Sequence, residues 1–151
     1  MTDPARLYEE DWYAWTQDQA ALLRRWPAEL RPNALDLEHI AEEIEDLGKE
    51  LRRQVEGLMR RLIEHLLKLE FSPDEDPRRH GMKEVAAFRA DIRARFGPDD
   101  SPSLYARRAD LYARPWNAAL RLYRKDLEVD GQPIPPVLRG ADDAPRYDFD
   151  M

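Results

Sequence analysis

The sequence contains no cysteine and few serine or threonine residues, namely Thr2, Thr16, Ser72, Ser101 and Ser103. Without cysteine, the chain can form no disulfide and offers no thiolate to a metal or a substrate. No serine lies in the strand-to-helix elbow that exposes a nucleophile in hydrolases, which argues against serine catalysis. Any metal site would have to be built from the three histidines and the carboxylates.

Long apolar runs and phosphate-binding glycine motifs are also missing. No window approaches the roughly 18 to 20 apolar residues that a transmembrane helix needs, which predicts that the protein does not enter a membrane. The amino terminus shows no basic stretch followed by an apolar run, so we expect no secretory signal and a cytoplasmic location. Neither GxGxxG nor GxxxxGK occurs, which argues against a nucleotide site of those types.

The composition indicates a folded, acidic protein. Hydrophobic residues make up 42% of the 151 residues, charged residues make up 36%, and the formal net charge is −7. This apolar fraction is above that of disordered chains, while the excess of acids argues against nucleic-acid partners and anionic membranes. Local basic stretches at 49–61, 78–80 and 121–125 are interleaved with acids or adjoin them, which favours solvated helix faces.

Apolar residues return at alternating steps of three and four, a period that predicts helices throughout. A first helix is predicted over Tyr8 to Trp26, before Pro27. A long second helix is predicted from the N-cap Asp36 to Phe71, with Leu37, Ile40, Ile44, Leu47 and Leu51 as the start of its apolar stripe. At 1.5 Å per residue it is about 50 Å long, so part of it should project, bend or meet a second subunit.

Two glycines interrupt this long helix, and its charges are sorted. Gly48 or Gly57 is expected to mark a close helix contact or a bend, because each costs about 1 kcal/mol in a helix interior relative to alanine. Acids crowd the first turns and basic residues follow, which is the order that the helix dipole favours.

The rest of the chain predicts two further helices and a tail. A third helix is predicted over roughly 78–96, and a fourth begins after the N-cap Ser101 and should be kinked by Pro115. Prolines and glycines prevent regular structure from Val129 onward. We therefore predict an all-α fold, a bundle of about four helices with one long central helix and an irregular C-terminal tail. The helical domain is assigned to residues 1–128, and a Pro/Gly-rich acidic tail to residues 129–151.

Several motifs together resemble the domain-of-unknown-function 29 family, small bacterial proteins that are abundant in cyanobacteria. The resemblance spans about Leu7 to Leu127 and rests on Tyr8-x-x-Asp11-Trp12-x-x-Trp15-x-x-x-Gln19, Asp36-Leu37-x-x-Ile40-x-Glu42-Glu43-Ile44-Glu45-Asp46-Leu47-Gly48-Lys49, His65-Leu66-Leu67-Lys68 and Ser101-Pro102-Ser103-Leu104. It implies an all-helical fold and no assigned activity. Met82, Pro115 and the tail after Leu127 depart from the family pattern.

The acidic block suggests a structural polar network. Glu42 and Glu43 differ by about 100° around the helix, so one of them should point close to the apolar stripe, where an unpaired carboxylate is costly. Arg89 lies in the apolar stripe of the third helix and is its natural partner. We predict an ion pair between Arg89 and one of these glutamates, with Tyr8, Asp11 or His39 nearby.

Metal binding is the alternative use of the same region. His39, Glu42 and Glu43 have ligand-type side chains at i, i+3 and i+4, and His65 or His80 are further candidates. His39 and His65 are 26 positions apart, about 39 Å along a straight helix, so they cannot share one ion. The paired Glu-x-x-His motifs of di-iron bundles are missing. No cofactor is predicted.

The leading functional hypothesis is a non-enzymatic interaction or structural protein that forms a homodimer through part of the long helix. One alternative is a metal-dependent or small-molecule-binding enzyme built in the bundle. Another is a regulatory module that binds nucleic acid or a protein partner. The excess length of the second helix, its glycines and the shortage of catalytic residue types favour the first.

Overall fold

A computed structural model describes residues 3–72 and 78–136, and within them it is helical without any strand. A 3₁₀ turn, Ala28–Leu30, lies between the second and third helices. The helices are α1 (Pro4–Glu10), α2 (Trp12–Arg24), α3 (Leu37–Phe71), α4 (Arg78–Phe96), α5 (Pro102–Ala106) and α6 (Arg108–Val129). The predicted all-α fold and the long central helix are confirmed. Most of the predicted tail, residues 137–151, lies outside the described residues.

Two of the predicted helices are each divided in the structure. The first breaks at Asp11, whose backbone is not helical and whose carboxylate accepts a hydrogen bond from the Ala14 N–H at 3.0 Å. Asp11 therefore ends α1 and caps α2. The predicted fourth helix breaks at Arg107, whose N–H donates to Leu104 O at 3.0 Å. Pro115 lies inside α6, and the helix continues through it.

The buried face of α3 differs from the predicted apolar stripe in its first turns. Leu37 is buried as the stripe predicts, but Ile40 is 38% exposed and Leu47 is 53% exposed, and Ala41 is buried instead. Gly48, the neighbour of Leu47, is buried as well. In these turns the buried face is therefore shifted by one residue from the predicted stripe, to the small residues Ala41 and Gly48. Small residues allow a neighbouring helix to come close.

That neighbouring helix is α2, which runs antiparallel to the first half of α3. A Cβ placed on Gly48 would overlap Thr16 Oγ1 and lie 2.7 Å from Gln17 Nε2. Further along, Arg24 Nη2 donates to Glu45 Oε2 at 3.0 Å. Hydrogen bonds from Arg24 and Lys49 lower the pKa of Glu45. Of the two glycines, Gly48 is therefore the one at a close helix contact.

The helices divide into two compact units. The first unit comprises the residues up to Gln54 together with Arg95–Arg107, and the second comprises Val55–Ala94 and the residues from Arg108 onward. The helical domain predicted over 1–128 stays a prediction. In the first unit, the buried side chains include Tyr13, Thr16, Ala20, Leu37, Ala41, Phe96 and Leu104.

The second unit has its own apolar core. It is formed by α3 and α6 through Ile63, Leu67, Tyr112, Trp116, Ala119, Leu120, Tyr123 and Leu127, with Phe71 and Ile134 packed against it. Burial raises the pKa of the Tyr123 phenol. The core helix α6 is followed by Gly131, at a positive φ of 66°, and the Gln132 N–H donates back to Leu127 O at 2.8 Å. This glycine lets the chain reverse at the helix end.

No helix in the described part of the chain has both the length and the apolar character needed to cross a bilayer.

Candidate functional site

A cavity of about 250 Å³ lies in the second unit, where the last turns of α3 meet the first turns of α4. α3 contributes its C-terminal residues to the cavity, and α4 contributes its N-terminal ones. Its described lining consists of His65, Lys68, Leu69, Ser72, Arg78, His80, Gly81 and Glu84. The cavity thus brings together two of the three histidines of the chain.

Glu84 joins these two histidines. His65 Nε2 lies 2.5 Å from Glu84 Oε2, and His80 Nε2 lies 3.1 Å from Glu84 Oε1. The other ring nitrogen of His65, Nδ1, lies 2.8 Å from the Arg61 carbonyl oxygen. A carbonyl oxygen only accepts, so the His65 ring donates to it from Nδ1 and turns Nε2 toward Glu84. Glu84 thus contacts one imidazole with each of its two oxygens.

The packing around His65 fixes its ring. The imidazole lies against Phe88, with ring centroids 5.1 Å apart and an interplanar angle of 53°. Its side chain is 23% exposed, against 78% for His80. His65 is therefore the anchored member of the pair, and His80 lies at the solvent side.

Two further cations line the cavity. Arg78 Nη2 donates to Leu69 O at 3.0 Å, which ties its guanidinium to the end of α3. Lys68 has no ion-pair partner in residues 3–72 and 78–136. Gly81 lies beside Leu69, and a Cβ at this position would come 3.2 Å from Leu69 Cδ2. Glycine therefore keeps the apolar side of the cavity open.

The predicted metal candidates are distributed over both units. Among the residues that the structure describes, no three histidine or acidic side chains are arranged to hold a metal ion. His39 pairs with Asp36, its Nδ1 lying 2.5 Å from Asp36 Oδ2. Glu42 and Glu43 are both exposed. The proximity of His65 and His80 arises through Glu84, which contacts one ring with each oxygen.

The members of the predicted polar network differ in their exposure and in the contacts that each makes within its own unit. Tyr8 is 46% exposed and packs edge-on against Trp15, with ring centroids 4.9 Å apart. Because Glu42 and Glu43 are exposed, neither carboxylate needs a partner to offset burial. Arg89 belongs to the second unit and is half-buried, and its Nε has no hydrogen-bond partner in the described part of the chain. The pairing of Arg89 with a glutamate stays a prediction.

Asp11 is the buried carboxylate among the predicted network members, and it hydrogen-bonds to the first turns of α2 and α5. It is 7% exposed, and besides capping α2 it accepts from the Ser103 N–H at 2.7 Å and from the Ser103 hydroxyl at 2.9 Å. Ser101 stands at the predicted N-cap position of α5, but its hydroxyl donates to Arg95 O at 3.0 Å. The first turn of α5 is thus capped by a residue of the opening segment.

Sequence reasoning missed Glu84, Lys68 and Arg78 as neighbours of the histidines. One local signal was available, because His80 and Glu84 stand at i and i+4, a spacing that places two side chains on one helix face. The contact of Glu84 with His65 required the fold, since it joins residues of different helices that are 19 positions apart.

The match to known families decides what kind of protein this is. The model of the family described as Domain of unknown function DUF29 matches residues 7–139. The chain belongs to the DUF29 family. The resemblance inferred from the motifs of the first and second helices is thereby confirmed. Among curated proteins, none matches this DUF29 chain.

A solved structure resembles this DUF29 chain over most of its length. It is an α-helical protein of unknown function from Rhodospirillum rubrum ATCC 11170, similar with a TM-score of 0.66 and 26% sequence identity. The match covers 94% of this chain and 82% of that one. It supports the all-helical fold, and its description assigns no activity.

Proposed function

We propose that this DUF29 protein is a non-enzymatic interaction protein of the bacterial cytoplasm that acts as a homodimer. The observation that carries the proposal is the exposure of Ile40 and Leu47, two large apolar side chains one heptad apart on α3. Residues seven apart lie on nearly the same side of a helix, so the two form one apolar strip. Such strips on soluble proteins mark association surfaces more often than isolated apolar residues do.

Other parts of the first unit add apolar surface. Leu22 is 48% exposed, Leu30 is 66% exposed and Leu35 is 50% exposed. A stable homodimer buries on the order of 1,200 Å² or more in total, and in a two-fold dimer both copies contribute the same patch. These exposed leucines of the first unit are further apolar surface that a dimer centred on the α3 strip could use.

The charges of α3 support pairing with a second copy of the same helix. Acids occupy the turns before Leu47, including Glu42 and Glu43, and Lys49 and Arg53 follow it. In an antiparallel pair with its two-fold axis near Leu47, the acidic turns of one copy lie toward the basic turns of the other. Opposite charges across an interface favour one orientation and register.

Sedimentation equilibrium tests the proposal. We expect the wild-type chain to sediment as a dimer at micromolar concentration, and the double variant Ile40→Lys, Leu47→Lys to sediment as a monomer, because it buries two charges in the interface. The matched control is Met82→Lys with Val129→Lys, which changes two exposed apolar residues of the second unit by the same charge. A monomeric wild type, or equal dissociation of both variants, would contradict the proposal.

A further inference from the structure

We infer that a groove along α4 binds a medium-chain aliphatic carboxylic acid, whose carboxylate pairs with Arg89 and Arg93 and whose alkyl chain extends toward Met82. This α4 groove has a volume of about 430 Å³, and its described lining consists of Leu69 and of α4 residues between Met82 and Arg93. All of these residues belong to the second unit, so the inference does not depend on the homodimer proposed for the first half of α3.

Two arginines at one end of the α4 groove have no carboxylate nearby on their own helix. Arg89 and Arg93 stand at i and i+4, a spacing that places them on one face of the helix and makes like charges repel. Apart from each other, the residues three and four positions away from them are all uncharged, namely Val85, Ala86, Ala90, Ile92, Phe96 and Gly97. A bound anion would therefore relieve a repulsion that α4 itself leaves uncompensated.

The burial of Arg89 strengthens its attraction for an anion. Its side chain is half-buried, and its Nε is buried without a hydrogen-bond partner in the described part of the chain. An arginine stays charged in proteins, and a cation that has lost part of its water attracts a carboxylate more strongly than a fully solvated one does. Arg89 lines the groove, so its other N–H groups are offered to a ligand as charge-assisted donors.

The opposite end of the α4 groove is apolar. Met82 is 63% exposed there, and the Leu69 side chain lies beside its neighbour, since a Cβ on Gly81 would come 3.2 Å from Leu69 Cδ2. Met82 and Arg89 are seven positions apart, about 10 Å along the helix, which is the length of an extended alkyl chain of about eight carbon atoms. The volume of the groove is within the range of small-molecule sites, roughly 300 to 1,000 Å³. A linear ligand with one anionic end matches this arrangement.

The predicted ion pair of Arg89 with Glu42 or Glu43 is the competing use of this arginine. A carboxylate supplied by the chain itself would make Arg89 stabilising, whereas an arginine kept for a ligand costs stability in the free protein. We expect Arg89→Met, which keeps an unbranched side chain and removes the charge, to melt at a higher temperature than the wild type without ligand. An unchanged or lower melting temperature would show that another part of the chain supplies the acceptor, and would overturn the inference.

Isothermal titration calorimetry of the full chain at constant ionic strength tests the ligand class. The probes are sodium octanoate, octanol, which lacks the charge, and sodium acetate, which lacks the alkyl chain. We expect saturable binding of octanoate, and binding of the other two that is weaker by about tenfold or more, because each loses one end of the site. Equal binding of octanol would indicate an apolar surface only, and equal binding of acetate an adventitious ion only, and either result would overturn the inference.

Matched variants locate the site. Arg89→Met and Arg93→Met should each weaken octanoate binding by about tenfold, since each removes a charge-assisted donor. Lys83→Met removes the same charge from α4 outside the described lining and should leave the affinity unchanged. Amide NMR of the ¹⁵N-labelled chain should show octanoate-induced shifts concentrated between Met82 and Arg93. Equal weakening by all three variants, or shifts concentrated in the first unit, would contradict binding in the α4 groove.

Discussion

Gly48 shows how a single missing side chain decides the position of a helix. Thr16, which faces it, is fully buried, and its hydroxyl donates to Tyr13 O at 2.7 Å. The Thr16 side chain is therefore fixed and cannot yield to a new methyl group. Gly57, in contrast, has open space where its Cβ would stand. We therefore expect that replacing these two glycines by alanine changes the stability of the protein in opposite directions.

We predict that Gly48→Ala lowers the free energy of unfolding by about 1 to 3 kcal/mol, because an added methyl group forces α2 and α3 apart. The matched control Gly57→Ala should raise it by up to about 1 kcal/mol, since alanine is the better helix former and nothing obstructs it. Urea unfolding followed by circular dichroism measures both. Equal effects of the two substitutions would show that Gly48 is not at a close helix contact.

The sequence predicted that one of these glycines marks a close contact, and only the fold could show which one. The periodicity of α3 is compatible with several inward faces that differ by one residue, and the partner helix selects among them. The same limit applies to Glu84, whose contact with His65 joins two helices. The contact of Glu84 with His80, by contrast, lies within one helix and could have been predicted from the i, i+4 spacing of the two residues.

At the level of the elements, helix ends were predicted well where a capping residue or a following Gly-Pro pair marks them. The bounds of α4 and the start of α3 after Asp36 agree with the sequence prediction. The divisions at Asp11 and Arg107 were not predicted, because the aromatic and apolar periodicity continues across both. Asp11 bonds to Ser103, which is 92 positions away, so this interruption of the first helix depends on a tertiary contact.

The start of α3 is stabilised by a pair that responds to pH. Asp36 accepts from the His39 N–H at 3.3 Å and pairs with its ring nitrogen. The hydrogen bond with Asp36 raises the pKa of His39, and the same bond lowers the pKa of Asp36. The raised histidine pKa contributes stability below about pH 6.5 that is lost as pH rises through the folded value. The lowered aspartate pKa contributes stability above about pH 4 that is lost on further acidification.

We therefore expect His39→Gln to destabilise the protein most near pH 5 and to have little effect near pH 9. Asp36→Asn keeps an acceptor at the cap and removes the charge, so it should abolish the same pH dependence. Urea unfolding of the wild type and both variants at the two pH values provides the comparison. A difference between the wild type and His39→Gln that is the same at both pH values would rule out this pair as its source.

For the whole molecule, the composition and the periodicity predicted the fold class but no biochemical activity. A cysteine-free acidic chain with helical periodicity predicted an all-α protein, and the fold and the DUF29 family confirm it. The net charge of −7 did not predict that Lys68, Arg78 and two histidines would line one cavity, because they meet only after α3 and α4 pack. Local charge depends on the fold, whereas net charge depends only on composition.

Homodimer formation can be measured directly because the chain contains no cysteine. A single thiol introduced by Leu47→Cys can form a disulfide only with another copy of the chain. Disulfide formation requires the two Cα atoms to come within about 7 Å, as expected at a two-fold axis near this residue. After mild oxidation, non-reducing electrophoresis of Leu47→Cys should show a cross-linked dimer, whereas Met82→Cys in the second unit should remain monomeric. A monomeric Leu47→Cys chain, or equal cross-linking of the two variants, would contradict a dimer formed through this face of α3.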